Sequence, residues 1–405
     1  MRASTLFRSL LAVTSLFVSA VSFTARGLVI RVRPSWRRPR CGLCGDRAPG
    51  YDQRQTRFWM AQPFNGFRLL LAYAPRRVHC PRCGVTTEAV PWARHGSRFT
   101  RDFEELVAYL AASTDKTTVQ RLMGISWRTV GSIVDRVVAD HLDPSRFDGL
   151  RRIGVDEFSY RKHHRYLTVV VDHDRHAVIW AAKGRGSDTL GVFFNRLGKA
   201  RSKAIETVTL DMAGGYIKAL RERVPQAELV FDRFHVQRLA SDALDEVRRA
   251  QWREQKDTEE GDAIKGCRYS LLKNPWNLTQ TERKKLREVQ RTNMPLYRAY
   301  LLKETLAKAL DYRQPKRARR MLDAWLVWAS HCHLPSFVKL AKTIREHKEG
   351  ILAYIRERMT NGVVEGINTR LRSITRRAFG FHSARPLIAM MYLCCSGIQL
   401  SPRLP

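Results

Sequence analysis

The sequence predicts an α/β chain: a mixed sheet core, broken late by an all-helical insertion and preceded by a cysteine ribbon and a helix pair. Three observations carry this. Apolar residues fall at strand spacing in short runs between Arg152 and Phe231, alternating with helical patterns toward the end. Strand signals then vanish from Phe234 to about Arg358. Two Cys-x-x-Cys pairs, Cys41/Cys44 and Cys80/Cys83, mark a separate N-terminal part.

The first 98 residues read as short strands and turns around those cysteines. The run from Leu6 to Phe23 is apolar, but Arg8 interrupts it, which argues against a signal peptide. Alternation in Leu28-Val29-Ile30-Arg31-Val32-Arg33 reads as a strand feeding the first cysteine pair. Four thiolates on two such knuckles suit one closed, structural Zn²⁺ site with no open position for catalysis. Unmetallated core cysteines are the alternative. His79 and His95 lie nearby in sequence, and either as a substitute ligand is a second alternative. Cys267, Cys332, Cys394 and Cys395 show no such spacing.

Residues 99–145 predict a helix-turn-helix. Phe103, Leu106, Val107 and Leu110 recur at helical spacing. Gly124 suits the turn, and Ser126 suits an N-cap. Trp127, Arg128 and Thr129 then fall in the first turn of the second helix, where such motifs meet DNA. The DNA-contacting set expected here is Ser126, Trp127, Arg128 and Thr129.

Residues 146–233 predict the first part of the core: strands Ile153–Phe158, Tyr166–Val171, Ala177–Ala182, Ala204–Leu210 and Glu228–Phe231, with helices Asp188–Leu197 and Gly215–Arg223. Three sequential strands followed by helix–strand alternation point to a ribonuclease H-like core. Residues 234–358 predict the helical insertion, broken near Asn274-Pro275 and Leu334-Pro335, and 359–405 a C-terminal helix of the core.

Charge narrows the partner. Lys and Arg number 72 against 38 acidic residues, a formal net charge of +34. Such a field draws polyanions, DNA first, with an anionic membrane surface as runner-up. No segment offers the ~20 uninterrupted apolar residues of a membrane-spanning helix.

Against that field the acids stand out. Asp156 interrupts an apolar strand, and Asp211 ends one. A charge inside a strand is costly unless solvated or paired. An edge-strand ion pair with Arg161 or Arg165 is the plain alternative for Asp156, and a helix N-cap for Asp211. Glu157 points to the opposite face from Asp156. Asp232 and His235 follow the fifth strand and are kept as groups that orient ligands or substrate. On the late helix, Val364, Ile367, Leu371 and Ile374 share one face. Glu365, Asn368, Thr369, Arg372 and Arg376 share the other, with Arg370 nearby. A solvated Glu–Arg face is the alternative to a metal ligand flanked by phosphate-binding arginines. Carboxylates are the hard ligands that Mg²⁺ or Mn²⁺ prefers.

The stretches Gly154-Val155-Asp156-Glu157-Phe158, Leu210-Asp211-Met212, Phe231-Asp232-Arg233-Phe234-His235-Val236 and Asn361-Gly362-Val363-Val364-Glu365-Gly366-Ile367-Asn368 together resemble transposases of bacterial insertion sequences, the ISL-three group of the DDE class. Ser126-Trp127-Arg128-Thr129-Val130 and the cysteine pairs fit as well. The resemblance runs from about residue 25 almost to the end. It implies a ribonuclease H-like core and an Asp156, Asp211, Glu365 triad binding Mg²⁺ or Mn²⁺. It also implies cleavage and strand transfer at terminal inverted repeats, using target DNA as second substrate. A homo-oligomer joining two ends, in the bacterial cytoplasm on the nucleoid and away from membranes, follows from that chemistry. A non-catalytic regulator descended from such an enzyme, or a nuclease without strand transfer, is the rival.

Overall fold

The computed structural model describes residues 3–161, 165–212, 214–357, 359 and 362–402. The chain falls into two units: residues 1–143 with 374–405, and residues 144–373.

The first unit opens with α1 (Ala3–Leu11), β1 (Leu16–Thr24) and β2 (Gly27–Pro34). The apolar N-terminal run is therefore folded as a helix and a strand. β3 (Gly50–Gln53), β4 (Arg57–Phe64), β5 (Phe67–Tyr73), β6 (Arg76–Cys80) and β7 (Gly84–Thr87) follow. One sheet has the order β1-β2-β5-β4 and a smaller one β3-β6-β7. Leu28, Ile30 and Val32 face one way on β2 and are buried with Leu16, Trp59, Leu71 and Trp92. Arg31 and Arg33, on alternate positions, are exposed, as the two-residue period of a strand requires.

Next come α2 (Arg101–Ser113), α3 (Lys116–Met123) and α4 (Trp127–His141). Each begins at a side-chain cap: Thr100 accepts from the Phe103 amide, Asp115 from Thr117 and Thr118, and Ser126 from Thr129. Gly124 closes α3 at φ 62°, a left-handed position that glycine occupies without strain. Phe103, Val107, Val130, Ile133 and Val137 are buried. So is Glu104, whose carboxylate accepts from Arg94, Ser97 and Arg136 at 3.1, 2.7 and 2.8 Å.

The second unit carries β8 (Arg152–Arg161), β9 (Arg165–Asp172), β10 (Ala177–Lys183), α5 (Ser187–Leu197), α6 (Lys199–Lys203), β11 (Thr207–Leu210), α7 (Gly214–Arg223) and β12 (Glu228–Phe231). The fourth strand starts at Thr207, later than expected, and is preceded by a short helix over Lys199–Lys203. Sheet order is β10-β9-β8-β11-β12, with β8, β9 and β10 antiparallel in turn and β8, β11 and β12 parallel. Ile153, Val155, Val208 and Leu210 pack in one core with Leu190, Phe193, Ile217 and Leu220 of α5 and α7.

After β12 the chain is helical: α8 (Arg233–Glu254), α9 (Glu259–Ile264), α10 (Arg268–Leu272), α11 (Gln280–Thr292), α12 (Met294–Asp311), α13 (Pro315–Ser330), α14 (Pro335–Glu346) and α15 (Lys348–Glu357). The expected breaks are present, with Pro275 opening a single 3-10 turn between α10 and α11 and Pro335 opening α14, and the described residues show further breaks. Two buried donors inside this bundle find backbone acceptors: Trp325 Nε1 donates to Leu302 O and Lys303 Nζ to Leu271 O, both at 2.8 Å. α15 returns to the sheet at Gly350, where a Cβ would meet the Phe231 ring at 2.3 Å.

α16 (Gly362–Arg377) and α17 (Ala384–Cys395) end the chain. The stretch 359–405, expected as one part of the core, is divided: Ile374 onward groups with the first unit. The reason is apolar: Leu387, Met391 and Leu393 of α17 are buried, where α17 packs on α4 and α2. Among the described residues no helix is long and apolar enough to cross a membrane.

Candidate active site and metal centre

Register brings the aspartates together. Val155 pairs with Leu210 across β8 and β11, and Leu210 with Phe231 across β11 and β12. Asp156, Asp211 and Asp232 are each the next residue, so they stand in a row, Asp156 on β8 and the other two just past the ends of β11 and β12, strands ~4.8 Å apart. β8 is the middle strand of the sheet, which removes the edge-strand reading of Asp156.

Asp156 accepts a hydrogen bond from the Glu157 amide at 2.7 Å and another from the Asn368 side chain. Burial, and then the charge of Asp211, push its carboxyl up to about 6. Glu157, on the other face, lies 4.0 Å from Arg185 and away from this row. Burial raises its pKa as well.

His235 supplies local positive charge. Its Nδ1 lies 2.8 Å from Asp211 Oδ1 and 3.3 Å from Asp232 Oδ2. Asp211 first, then Asp232, push its pKa up to about 10, so it is an imidazolium at neutral pH. Both approaches are close but off the hydrogen-bonding direction: these three atoms are buried without an aligned partner. Asp232 is also the N-cap of α8, accepting from the Phe234 amide at 3.3 Å. A buried carboxyl, Asp156, raised by burial and by its neighbour's charge, next to buried oxygens without an aligned partner, fits a divalent cation.

α16 is delivered to the sheet by an absent side chain. A Cβ on Gly154 would meet Val364 Cγ2 at 2.4 Å, His173 Nε2 at 3.0 Å and Thr209 Oγ1 at 3.1 Å. His173 and Thr209 hydrogen-bond each other at 2.7 Å beneath that contact, and burial lowers the His173 pKa to about 4. Val364, Ile367, Leu371 and Ile374 are buried, as the helical wheel predicts. Glu365, Arg370, Arg372 and Arg376 are exposed. Asn368 departs from its expected place on the solvent face: it is buried, and its amide reaches Asp156. Its sequence signal was a polar residue one turn after Glu365, read as surface because a wheel shows no partner strand. Glu365 itself is adjacent to Val364, but among the described residues its carboxylate is not gathered with those of Asp156 and Asp211.

The cysteines are gathered. The Sγ atoms of Cys41, Cys44, Cys80 and Cys83 all lie within 4.8 Å of one another, with Cys44 and Cys80 3.6 Å apart. They can hold one tetrahedral metal ion, and neither His79 nor His95 belongs to the cluster. In the helix-turn-helix, Ser126, Trp127 and Arg128 are exposed and Thr129 is half-buried. Lys116 Nζ sits 3.8 Å from the Trp127 ring centroid, so the ring carries a cation on its face.

Comparison with known proteins identifies the family. Residues 153–391 match a family described as a transposase, and residues 88–138 match the helix-turn-helix domain of transposase family ISL3. The chain is 41% identical over 405 residues to the transposase for insertion sequence element IS1557 of Mycobacterium tuberculosis (strain CDC 1551 / Oshkosh), covering 93% of this chain and 90% of that protein. It is 29% identical over 359 residues to the transposase for insertion sequence element IS1001 of Bordetella parapertussis, covering 88% of each.

Proposed function

The chain belongs to transposase family ISL3 and is a DNA-binding enzyme that cleaves and transfers DNA strands, and from that premise we propose that Asp156, Asp211 and Glu365 are its catalytic triad. The observation that carries the assignment is the strand register: Val155 opposite Leu210 sets Asp156 beside Asp211, while Gly154 admits the helix that bears Glu365. The sheet order β10-β9-β8-β11-β12, antiparallel in its first half and parallel in its second, supports a ribonuclease H-like reading of this core.

Mg²⁺ or Mn²⁺ held by these carboxylates would supply the Lewis-acid activation of attacking and leaving oxygens that phosphodiester chemistry needs. The protein's own groups hold that arrangement. Asn368 orients Asp156, as neighbours of ligating carboxylates commonly do, and His235 sets its charge beside Asp211 and Asp232. Arg370, Arg372 and Arg376 offer guanidinium groups to phosphates along the same helix. The cysteine cluster holds structural Zn²⁺. Ser126, Trp127, Arg128 and Thr129 read the terminal inverted repeats, placing the ends for cutting and then for transfer to target DNA. Two ends must be joined, so the working form is a homo-oligomer, acting in the cytoplasm on the nucleoid.

The deciding experiment is cleavage of a labelled duplex carrying the element's end, in Mg²⁺, by wild type and by Glu365→Gln. Cleavage by wild type, and its loss in the variant with DNA binding retained, is the expected result. Equal cleavage by both removes Glu365 from the triad. Cleavage with no strand joining on added target DNA leaves a nuclease. Binding without cleavage by either protein leaves a regulator.

A further inference from the structure

α16 ends in a way that its sequence should avoid. The Gly380 amide donates to Thr375 O at 2.9 Å and the Phe379 amide to Arg376 O at 3.0 Å. This pair of bonds closes a helix only if the residue between them turns left-handed. That residue is Phe379, at φ 52°. Glycine takes such a position without strain, and a glycine stands one place later, at Gly380. A bulky side chain there is an outlier that the surroundings must hold in place.

Its ring also goes unburied. Phe379 is 95% exposed, whereas Phe381, two residues on, is half-buried and lines a small apolar cavity with Ile374, Ala378, Pro386 and Met390. The turn thus separates an anchoring phenylalanine from a projecting one. Ala378, Gly380, His382 and Ser383 around the projecting ring make no wider apolar patch of the kind a protein partner covers. Its nearest exposed charge along the chain is basic. No acidic residue follows Glu365 in the sequence, and Arg376 is exposed three positions before the ring.

A residue that breaks a local rule without a packing gain marks a functional position. An exposed aromatic face three residues from an exposed arginine suits a strand whose backbone is anionic and whose bases present π faces. Resting on the reading above that this enzyme works on the ends of its element, we propose that Phe379 stacks on an unpaired base of the bound DNA where the duplex is opened, while Arg376 holds a neighbouring phosphate. The left-handed turn points the ring outward, and Phe381 fixes the turn from below.

The test uses the full chain and labelled duplexes of the element's end, one fully paired and a series each carrying one unpaired 2-aminopurine. Phe379→Gly keeps the turn, because glycine favours it, and removes the ring. Affinity for one unpaired duplex should fall roughly tenfold, with loss of the 2-aminopurine quenching. Phe379→Trp should restore both, and the thermal midpoint of Phe379→Gly should equal or exceed that of wild type. An equal fall on every duplex, or no fall on any, overturns the stacking role. Unchanged DNA binding with loss of assembly in light scattering assigns the ring to a second copy and also overturns it. Wild type that binds none of these duplexes overturns the reading of the element's ends as substrate, and the stacking role with it.

Discussion

Gly154 shows how much one missing methyl group decides. The residue sits on the middle strand, two before Asp156 and against Val364, one before Glu365. Gly154→Ala would put a Cβ 2.4 Å from Val364 Cγ2, so α16 must move or the sheet must bend. Overpacking of this kind costs about 1–3 kcal/mol. The expected signature is a lower thermal midpoint and a larger loss in cleavage than in binding to the element's ends, because the helix-turn-helix does not contain the change. Cleavage unchanged from wild type would show that the close approach of α16 is not needed. Asn368 makes the same point from the other side. A helical wheel assigned it to solvent, but burial and its bond to Asp156 make it part of the carboxylate row.

Among the elements, the helix-turn-helix was the most legible. Its caps, glycine turn and apolar spacing are local rules, and Asp115, Gly124 and Ser126 obey them as a short stretch of sequence should. What ties α2 to α4 was less visible. Glu104 is fully buried and held by Arg94 and Ser97, just ahead of α2, and by Arg136 of α4, thirty-two positions on. Glu104→Gln leaves these guanidinium groups without their charge partner, although Arg94 keeps Glu105 and Asp140. A destabilisation of roughly 3 kcal/mol in urea unfolding of the full chain is expected, at the low end for a broken buried pair. A change under about 0.5 kcal/mol, the range of an ordinary surface substitution, would place Glu104 outside the stabilising core. The N-terminal run shows a different kind of ambiguity. Leu6 to Phe23 carries enough apolar residues for several fates, and only packing against β2, β4 and β5 selects a helix followed by a strand.

For the whole molecule the dominating quantity is charge. At +34, binding to DNA draws on phosphate contacts throughout, so affinity should fall steeply with salt. A protein neutralising six or more phosphates loses roughly a thousandfold between 50 and 200 mM salt, and a titration of end binding over that range should show it. A flat response would mean that the basic excess is not facing the DNA. Composition, the cysteine spacing, the order of the five core strands and the apolar face of α16 were all set by residues close together in the chain. These are local or summed properties, and a single sequence carries them in full. The register that aligns Asp156, Asp211 and Asp232, the approach of Val364 to Gly154, the turning of Asn368 inward and the assignment of α17 to the first unit were decided by the tertiary structure alone. Each depends on which of several apolar surfaces meets which, and a one-residue slip in a strand exchanges its faces without changing a letter of the sequence.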